Sequence, residues 1–338
     1  MLNASSATTF LYESKPFGFG FYFYFSRSRG RKDCWHPYSK ELQAAGEQAG
    51  GLFCKLRRKP SLPNSIEEHI MELGTKKRLS HIFDPNSHRT IIVPMDHGMT
   101  IRAPEGLVDI HKAVNDMNVG GANAVLMHKG LIRASGCADV NAGLGLIMHI
   151  TGSTNLTPMG NTKVLTGTVE EAIRLGADAV SIHINLGDAN EREMLHTAGT
   201  IADQCNRWGM PLLMMLYGRG GLIRDSFNVD VVAQCARVGA ELGADIVKVS
   251  YTGTPESFAK VTKCCCCPVV IAGGEMIDSD VRLFQMVYDS LQAGGAGLSI
   301  GRNVFDHPRR VTLMKALNAM VHSGATVEDA MTIMAENG

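Results

Sequence analysis

The chain has 338 residues, of which 45% are hydrophobic and 20% are charged, a composition typical of a folded globular protein. Lys and Arg number 33, as do Asp and Glu, so no overall charge attracts nucleic acid or a membrane surface. No apolar run approaches the roughly 20 residues that a membrane-spanning helix needs. We therefore expect a globular protein without nucleic-acid or membrane partners.

The first 70 residues differ from the rest of the chain in charge and in aromatic content. Residues 1–80 carry 13 Lys and Arg against 7 Asp and Glu, and 11 of the 21 aromatic residues lie in residues 1–40. A basic stretch follows the aromatic run Phe17–Phe25, which is the reverse of the order in a secretory signal peptide. We expect residues 1–70 to be a non-barrel extension that is disordered or non-native, and residues 71–338 to form the folded domain. A true extension, a targeting segment and the product of an upstream start codon are the alternatives for residues 1–70.

Four of the nine cysteines are consecutive, at Cys264–Cys267. Their spacing matches neither a C-x-x-C zinc site nor a secreted disulfide framework. Neighbouring side chains of an extended segment point to opposite sides, so the four thiols cannot easily bind one ion. We expect reduced, structural thiols and a cytoplasmic protein.

From residue 90 the chain alternates short β-rich runs with helical patterns. The runs are apolar throughout, as expected of parallel strands that helices cover. Several helical patterns end in Leu-Gly-Ala-Asp or a similar phrase, in which the glycine suits the left-handed position after a helix. The predicted helices include Val169–Leu175, Glu191–Trp208, Val229–Leu242 and Asp278–Ala293. The predicted strands are residues 90–96, 122–128, 144–150, 177–185, 210–217, 244–251, 268–274 and 296–302.

Eight such units in about 215 residues predict an α/β fold, a TIM (β/α)8 barrel. An open, doubly wound sheet is the alternative, but the G-x-G-x-x-G phrase expected after its first strand is missing. In a TIM barrel the functional side chains lie at the C-terminal ends of the strands.

Lys248 lies within the apolar run Ile246-Val-Lys-Val249, where a charge is costly to bury. The two-residue period of a strand places Ile246, Lys248 and Ser250 on one face, so the amine can point into the barrel. Desolvation lowers the pKa of a lysine, and an unprotonated amine can form a Schiff base with a carbonyl. A lysine that snorkels from the strand end, or binds phosphate as a simple cation, is the alternative.

Asp96 and Tyr217 end the first and fifth predicted strands and could carry protons for such a reaction. The simpler alternatives are a turn carboxylate at Asp96 and a half-buried aromatic side chain at Tyr217. Four histidines, His97, His128, His149 and His183, could be metal ligands, but no H-x-H or H-E-x-x-H spacing occurs. We predict no metal and no cofactor.

Gly273-Gly274 and Gly301-Arg302-Asn303 follow the last two strands, where TIM barrels usually bind phosphate. Glycines let backbone N–H groups approach an anion, and Arg302 adds a guanidinium. FMN-binding barrels use the same device. An FMN-dependent oxidoreductase and a silent barrel that only binds sugar phosphates therefore remain alternatives.

Several longer phrases carry a family resemblance that covers about residues 73–336. They include Val93-Pro-Met-Asp-His-Gly98, Met127-His-Lys-Gly130, Ala244-Asp-Ile-Val-Lys248 and Ile271-Ala-Gly-Gly274. Together they resemble the archaeal-type class I aldolase family. The resemblance implies a Schiff-base lysine at Lys248, a proton donor at Tyr217 and a proton acceptor at Asp96. It implies substrate and phosphate contacts at His97, Gly98, Met99, Thr100, Gly218, Arg219, Gly273, Gly274, Gly301 and Arg302.

The activity that the resemblance implies is that of a metal-independent aldolase or transaldolase acting on phosphorylated keto-sugars and aldehydes. Within the family the phrases look most like the 2-amino-3,7-dideoxy-D-threo-hept-6-ulosonate synthases, which use a deoxy-diulose phosphate and aspartate semialdehyde in a route to 3-dehydroquinate and aromatic amino acids. Class I fructose-1,6-bisphosphate aldolase is the alternative. Gly218 stands where these synthases commonly have proline. We also expect a homo-oligomer.

Overall fold

Eight parallel strands close into a barrel, and each strand pairs with the next one in the chain. The computed structural model describes residues 73–102, 104–136 and 143–336, and the backbone of an antiparallel pair of short strands, Tyr22–Phe23 and Pro37–Tyr38. The barrel strands are β1 (Thr90–Pro94), β2 (Ala124–Met127), β3 (Gly145–His149), β4 (Ala179–Leu186), β5 (Leu212–Gly218), β6 (Ile246–Ser250), β7 (Val269–Ala272) and β8 (Gly297–Ser299). Ser299 of β8 lies opposite Ile92 of β1, which completes the ring. The predicted TIM barrel is confirmed, and the open sheet is excluded.

Helices follow the strands, and the four predicted helices are all present, Glu191–Trp208 with the predicted bounds. A 3-10 turn spans Glu105–Leu107. The helices are α1 (Leu73–Leu79), α2 (His97–Thr100), α3 (Ile110–Val119), α4 (Lys129–Ala134), α5 (Val169–Arg174), α6 (Glu191–Trp208), α7 (Val229–Glu241), α8 (Pro255–Cys264), α9 (Asp280–Gln292), α10 (Arg302–Phe305), α11 (Arg310–Ser323) and α12 (Val327–Glu336).

The chain divides into two units, residues 1–68 and residues 69–338, and the second holds the barrel. The predicted extension at residues 1–70 lies almost wholly outside the described residues, and its role therefore stays a prediction. No helix in the described part of the chain is long and apolar enough to cross a membrane.

The core has an inner layer within the barrel and an outer layer between the strands and the helices. Successive side chains of a strand point to opposite faces. On β6, Ile246 belongs to the inner layer, whereas Val247 and Val249 belong to the outer one. Lys248 therefore faces the interior, as the two-residue period predicts. The inner layer consists of Ile82, Ile92, Ala124, Leu126, Ile147, Ala179, Leu213, Met215, Ile246 and Val270.

A repeated hydrogen bond fixes the N-terminal end of the barrel. The residue before each of β2, β4 and β6 accepts a backbone N–H near the start of the preceding strand. Two of these acceptors are the aspartates of the Leu-Gly-Ala-Asp phrases, whose glycines Gly176 and Gly243 have φ of +76° and +90° as predicted. The bonds join Ile91 to Asn123 at 2.7 Å, Leu146 to Asp178 at 2.9 Å and Leu212 to Asp245 at 2.8 Å.

The six described cysteines, including Cys264–Cys267, are all free thiols. Cys264 ends α8, and its Sγ contacts the carbonyl oxygens of Val261 and Ala233. The Sγ atoms of Cys265 and Cys267 lie 3.6 Å apart. The other three cysteines lie outside the described residues.

Candidate active site

Lys248 is the central cation at the C-terminal end of the barrel. Its side chain projects from β6 into the interior, and the residue is only 6% exposed. Burial lowers the pKa of the amine to about 8, with a further decrease from the charge of Arg219, although the carboxylate of Asp96 favours the protonated form. Roughly a tenth of the amine is therefore unprotonated at pH 7, far more than for an ordinary lysine.

Asp96 lies between β1 and α2 and makes no side-chain hydrogen bond that caps α2. Instead its Oδ1 lies 3.5 Å from Nδ1 of His97, and its Oδ2 lies 3.8 Å from Nε2 of His149. Burial raises the pKa of the carboxyl group, but the charges of His149, His97, Lys248 and His128 together hold it well below its usual range. The side chain is thus a carboxylate at neutral pH, and its charge acts on the lysine amine.

Tyr217 lies near the end of β5, with its aromatic ring packed between two other side chains. Its ring centroid is 5.0 Å from that of His183, and the guanidinium carbon of Arg219 lies 4.5 Å from the same centroid. Burial raises the pKa of the phenol to about 12, and the nearby Asp96 carboxylate acts in the same direction. The phenol therefore keeps its proton throughout the neutral range and can donate it.

Three of the four predicted histidines, His128, His149 and His183, make side-chain hydrogen bonds to protein groups, whereas the buried Nδ1 of His97 has no hydrogen-bond partner among the described residues. Nδ1 of His149 lies 2.7 Å from Oγ of Ser181, and Nδ1 of His128 lies 3.2 Å from the carbonyl oxygen of His149. Burial lowers the pKa of His149 to about 4, so this imidazole is neutral at pH 7. In the described ranges, no three or more His, Cys, Asp or Glu side chains are arranged to hold a metal ion.

The glycines after β7 and β8 approach each other through Arg302 and Asn303. Nη2 of Arg302 donates to the carbonyl oxygen of Gly274 at 2.7 Å, and Nδ2 of Asn303 donates to that of Gly273 at 3.1 Å. A Cβ atom at Gly301 would lie 2.5 Å from Cε1 of His97, so only glycine allows β8 to approach the end of β1 so closely. The structure thus brings the predicted phosphate residues together at one side of the mouth.

A cavity of about 610 Å³ opens beside this glycine-rich side. Its walls include four basic side chains and two acidic ones, Glu105 and Asp306, and two of the basic side chains, Lys112 and Arg310, pair with Asp116. The basic residues are Arg102, Lys112, Arg302 and Arg310.

Three other predicted contact residues, Met99, Thr100 and Gly218, take part in packing or in backbone hydrogen bonds. Met99 packs against Gly152, where a Cβ atom would lie 2.1 Å from the Met99 Sδ atom. The carbonyl oxygen of Thr100 accepts the backbone N–H of Asn155 at 2.9 Å. At Gly218 a Cβ atom would lie 2.2 Å from Cγ1 of Val231, so the packing of α7 against β5 requires glycine at this position.

The sequence reasoning missed Lys163, a second buried lysine at the mouth, which is 7% exposed. Its Nζ donates to Oγ of Ser153 at 2.5 Å and to the carbonyl oxygen of Gly160 at 3.2 Å. Burial lowers the pKa of its amine to about 8, and the charge of Arg219 adds to this effect. The residue lies in the polar connection between β3 and α5, which has no hydrophobic period to mark it as buried.

Comparison with known proteins gives consistent matches over the barrel. The model of the DeoC/LacD family of aldolases matches residues 90–307. The 2-amino-3,7-dideoxy-D-threo-hept-6-ulosonate synthase 1 of Archaeoglobus fulgidus is 41% identical over 260 residues, which are 77% of this chain and 95% of the relative. The 2-amino-4,5-dihydroxy-6-oxo-7-(phosphonooxy)heptanoate synthase of Streptomyces griseus is 34% identical over 249 residues, 74% of this chain and 90% of the relative.

Among solved structures, the barrel resembles that of an archaeal fructose-1,6-bisphosphate aldolase whose catalytic lysine is covalently bound to the carbinolamine intermediate. The TM-score is 0.67 at 27% sequence identity, and the match covers 73% of this chain and 99% of that structure.

Proposed function

The chain belongs to the DeoC/LacD family of aldolases, and we propose that it joins and cleaves carbon–carbon bonds through an imine on Lys248. One observation carries this proposal. The amine of Lys248 is buried inside the barrel within the field of the Asp96 carboxylate, and its pKa is lowered to about 8. A lysine with this lowered pKa is a nucleophile at neutral pH, whereas a lysine that binds phosphate needs only its charge.

In the proposed reaction the Lys248 amine attacks the ketone carbon of a phosphorylated keto-sugar. Tyr217 gives its proton to the carbinolamine oxygen, which leaves as water, and the protonated imine forms. Asp96 then takes the proton of the hydroxyl group two carbons away. The bond between the carbon that carries this hydroxyl group and the carbon next to the imine then breaks. Its electron pair converts the imine into an enamine, and the hydroxyl-bearing carbon leaves as an aldehyde.

The second half of the reaction reverses these steps with a new aldehyde. The enamine carbon attacks the aldehyde carbon of the acceptor, and Asp96 returns its proton to the oxygen that becomes a hydroxyl group. Water then adds to the imine, the product ketone and the Lys248 amine separate, and Tyr217 recovers its proton. Protons, electrons and water therefore balance over the cycle, and the three side chains return to their starting states.

We propose aspartate semialdehyde as the acceptor, because the products named for the relatives carry an amino group beside a carboxylate at one end. The archaeal relative is a 2-amino-3,7-dideoxy-D-threo-hept-6-ulosonate synthase, and we propose the same activity here, with a deoxy-diulose phosphate as the donor. The product would then feed the formation of 3-dehydroquinate and aromatic amino acids. Fructose-1,6-bisphosphate aldolase is the second candidate, because the barrel resembles a solved enzyme of that activity.

Trapping with borohydride tests the imine. With fructose 1,6-bisphosphate or the deoxy-diulose phosphate present, borohydride should inactivate the enzyme and add the mass of a substrate-derived fragment to Lys248. The Lys248→Met variant should gain no mass and lose turnover by about 10⁴-fold or more.

Two further experiments decide between the two candidate activities and test whether the reaction is independent of metal. Turnover that requires aspartate semialdehyde indicates the synthase, whereas cleavage of fructose 1,6-bisphosphate without an added aldehyde indicates the aldolase. EDTA should leave turnover intact. Loss of activity in EDTA together with no adduct on the wild-type protein would contradict the imine mechanism.

We further propose that the enzyme is a cytoplasmic homo-oligomer. The free thiols of the six described cysteines suit a reducing compartment. Leu156 and Leu222 are 93% and 90% exposed, and a subunit interface would remove such apolar side chains from water. Sedimentation of the full-length protein tests the oligomer, and a monomeric mass at micromolar concentration would contradict it.

A further inference from the structure

The reaction proposed above uses Lys248, Tyr217 and Asp96 but has no role for Lys163. A buried ammonium group is costly unless a counter-ion accompanies it. The described acceptors of the Lys163 ammonium are the neutral oxygens of Ser153 and Gly160, and no carboxylate in the described ranges forms an ion pair with it. One of its three N–H groups is thus left for a further acceptor.

The position of Lys163 is fixed by a short antiparallel ribbon, in which Thr151–Gly152 pairs with Val164–Leu165. The ribbon is anchored over β3 and β4, because Oγ1 of Thr151 accepts the backbone N–H of His183 at 2.9 Å. The backbone N–H of Lys163 itself points to Sδ of Met194 on α6, at 3.4 Å. In the closed order of eight strands, β3 and β4 lie directly across the barrel from β7 and β8. Lys163 and the glycine-rich side therefore lie at opposite sides of the mouth.

The charges around Lys163 leave this side of the mouth positive. The positive charge of Arg219 lowers the pKa of the Lys163 amine, and the negative charge of Asp96 raises it. Asp96 is shared with Lys248 and with neighbouring histidines. Asp96 is the one carboxylate among the groups that act on the two lysine amines, and the nearby Asp188 carboxylate already accepts hydrogen bonds from Thr162 and Asn190. An anionic ligand would balance the remaining positive charge.

The product named for the Streptomyces griseus relative has the matching shape, whereas the product named for the archaeal relative is deoxy at the same end and carries only the ketone there and the carboxylate at the other end. In 2-amino-4,5-dihydroxy-6-oxo-7-(phosphonooxy)heptanoate the ketone and the phosphate occupy one end of a seven-carbon chain, and the carboxylate is at the other end. If the ketone carbon lies at Lys248 and the adjacent end of the chain points to the glycines after β7 and β8, the carboxylate end crosses the mouth towards β3 and β4.

We propose that Lys163 binds the carboxylate of the acceptor aldehyde, and so selects aspartate semialdehyde over aldehydes without an acidic group. This inference rests on the proposed function, because it assigns the acceptor of that reaction. Ser153 and Gly160 hold the ammonium in place, and the third N–H is the donor to the carboxylate. Lys163 is a specificity-determining residue in this scheme, and the imine forms without it.

The test compares two acceptors in the Lys163→Met variant at a saturating concentration of the keto-sugar donor. The KM for aspartate semialdehyde should rise about 10- to 100-fold, the effect of losing a hydrogen bond between charged groups. The KM for propanal should stay within about twofold, because propanal has no carboxylate. Lys163→Arg should restore most of the preference, and Lys163→Gln gives a second neutral variant if the methionine variant does not fold.

A matched control is Lys129→Met, since Lys129 also follows a barrel strand but already pairs with Glu171 at 3.0 Å. It should leave the KM for both aldehydes unchanged. A further pair, glyceraldehyde 3-phosphate and glyceraldehyde, separates a carboxylate site from a general anion site. If the Lys163→Met variant loses only its preference for glyceraldehyde 3-phosphate over glyceraldehyde, the carboxylate assignment is wrong. Equal changes in the KM for aspartate semialdehyde and for propanal would also contradict it.

Borohydride trapping separates the two proposals. The Lys163→Met variant should form the Lys248 adduct with the donor as fast as the wild type does. Failure of trapping in the wild type contradicts the proposed function, whereas normal trapping with an unchanged acceptor preference contradicts only the role of Lys163.

Discussion

Polar side chains at the two ends of the barrel differ in their fixed hydrogen-bond partners. At the N-terminal end Asn123, Asp178 and Asp245 each accept a backbone N–H of a neighbouring strand. At the C-terminal end Lys248 and Lys163 are buried with few fixed partners, and burial lowers the pKa of both amines to about 8. Polar groups thus secure strand register at one end, whereas at the other end burial brings the pKa of two amines close to neutral pH.

The difference has an energetic consequence. The pKa of Lys248 is lower in the folded protein than the ordinary value of 10.5, so protonation of this amine favours the unfolded chain. The resulting loss of stability, of order 3 kcal/mol for a shift of this size, is fully present below pH 8 and disappears as the pH rises above the ordinary lysine value. The C-terminal end therefore reduces the stability that hydrogen bonds at the N-terminal end help to supply.

The largest expected effect at the reactive end, after loss of Lys248 itself, is that of Tyr217→Phe. This change keeps the ring that packs against His183 and Arg219 but removes the hydroxyl group that we propose as the proton donor. Turnover should fall by about 10²- to 10⁴-fold. The Lys248 adduct should still form with borohydride, more slowly, and the KM for the donor should change little. Near-normal turnover would remove the phenol from the mechanism.

At the other end, Asp178→Ala should lower stability without changing turnover. The substitution leaves the backbone N–H of the buried Leu146 without its acceptor, which costs about 1 to 3 kcal/mol in the free energy of unfolding. Denaturant unfolding of the two proteins measures this loss. Asp178→Asn is the matched control, because its amide oxygen can still accept the Leu146 N–H and should retain most of the stability.

The same measurement on Lys248→Met sharpens the contrast. Removal of the buried charge should leave the free energy of unfolding unchanged or raise it, although turnover is lost. A variant that is inactive and also strongly destabilised would show that Lys248 has a structural role, and the distinction between the two ends would then fail.

The fold could be read from the sequence because the information is local and repeated. Each barrel strand is a continuous apolar run, and the glycines of the Leu-Gly-Ala-Asp phrases mark where helices end. The inward direction of Lys248 followed from the two-residue period of a strand. The sequence did not reveal the roles of Asp178 and Asp245. Their hydrogen bonds reach residues of a neighbouring strand that lie 32 and 33 positions earlier in the chain, and no local pattern records such contacts.

The site could be predicted only in part, for a related reason. Asp96, Tyr217, Arg219 and Arg302 lie at strand ends, and the topology of the barrel places all strand ends at one mouth. Lys163 lies 14 residues after the end of β3, in a polar loop whose path depends on tertiary contacts such as that between Thr151 and His183. Its burial therefore became visible only in the folded structure.

The smallest expected effect is a shift in pH dependence when the Asp96 charge is removed. The rate of borohydride trapping by wild-type enzyme should rise with pH to a midpoint of about 8, because only the unprotonated Lys248 amine attacks the ketone. The Asp96 carboxylate stabilises the protonated amine, so Asp96→Asn should move the midpoint to lower pH. At pH 7 the variant should therefore form its adduct faster than the wild type even though its turnover falls, since the carboxylate that we propose as the proton acceptor is gone. A midpoint that moves to higher pH, or does not move, would show that the carboxylate does not act on the lysine charge.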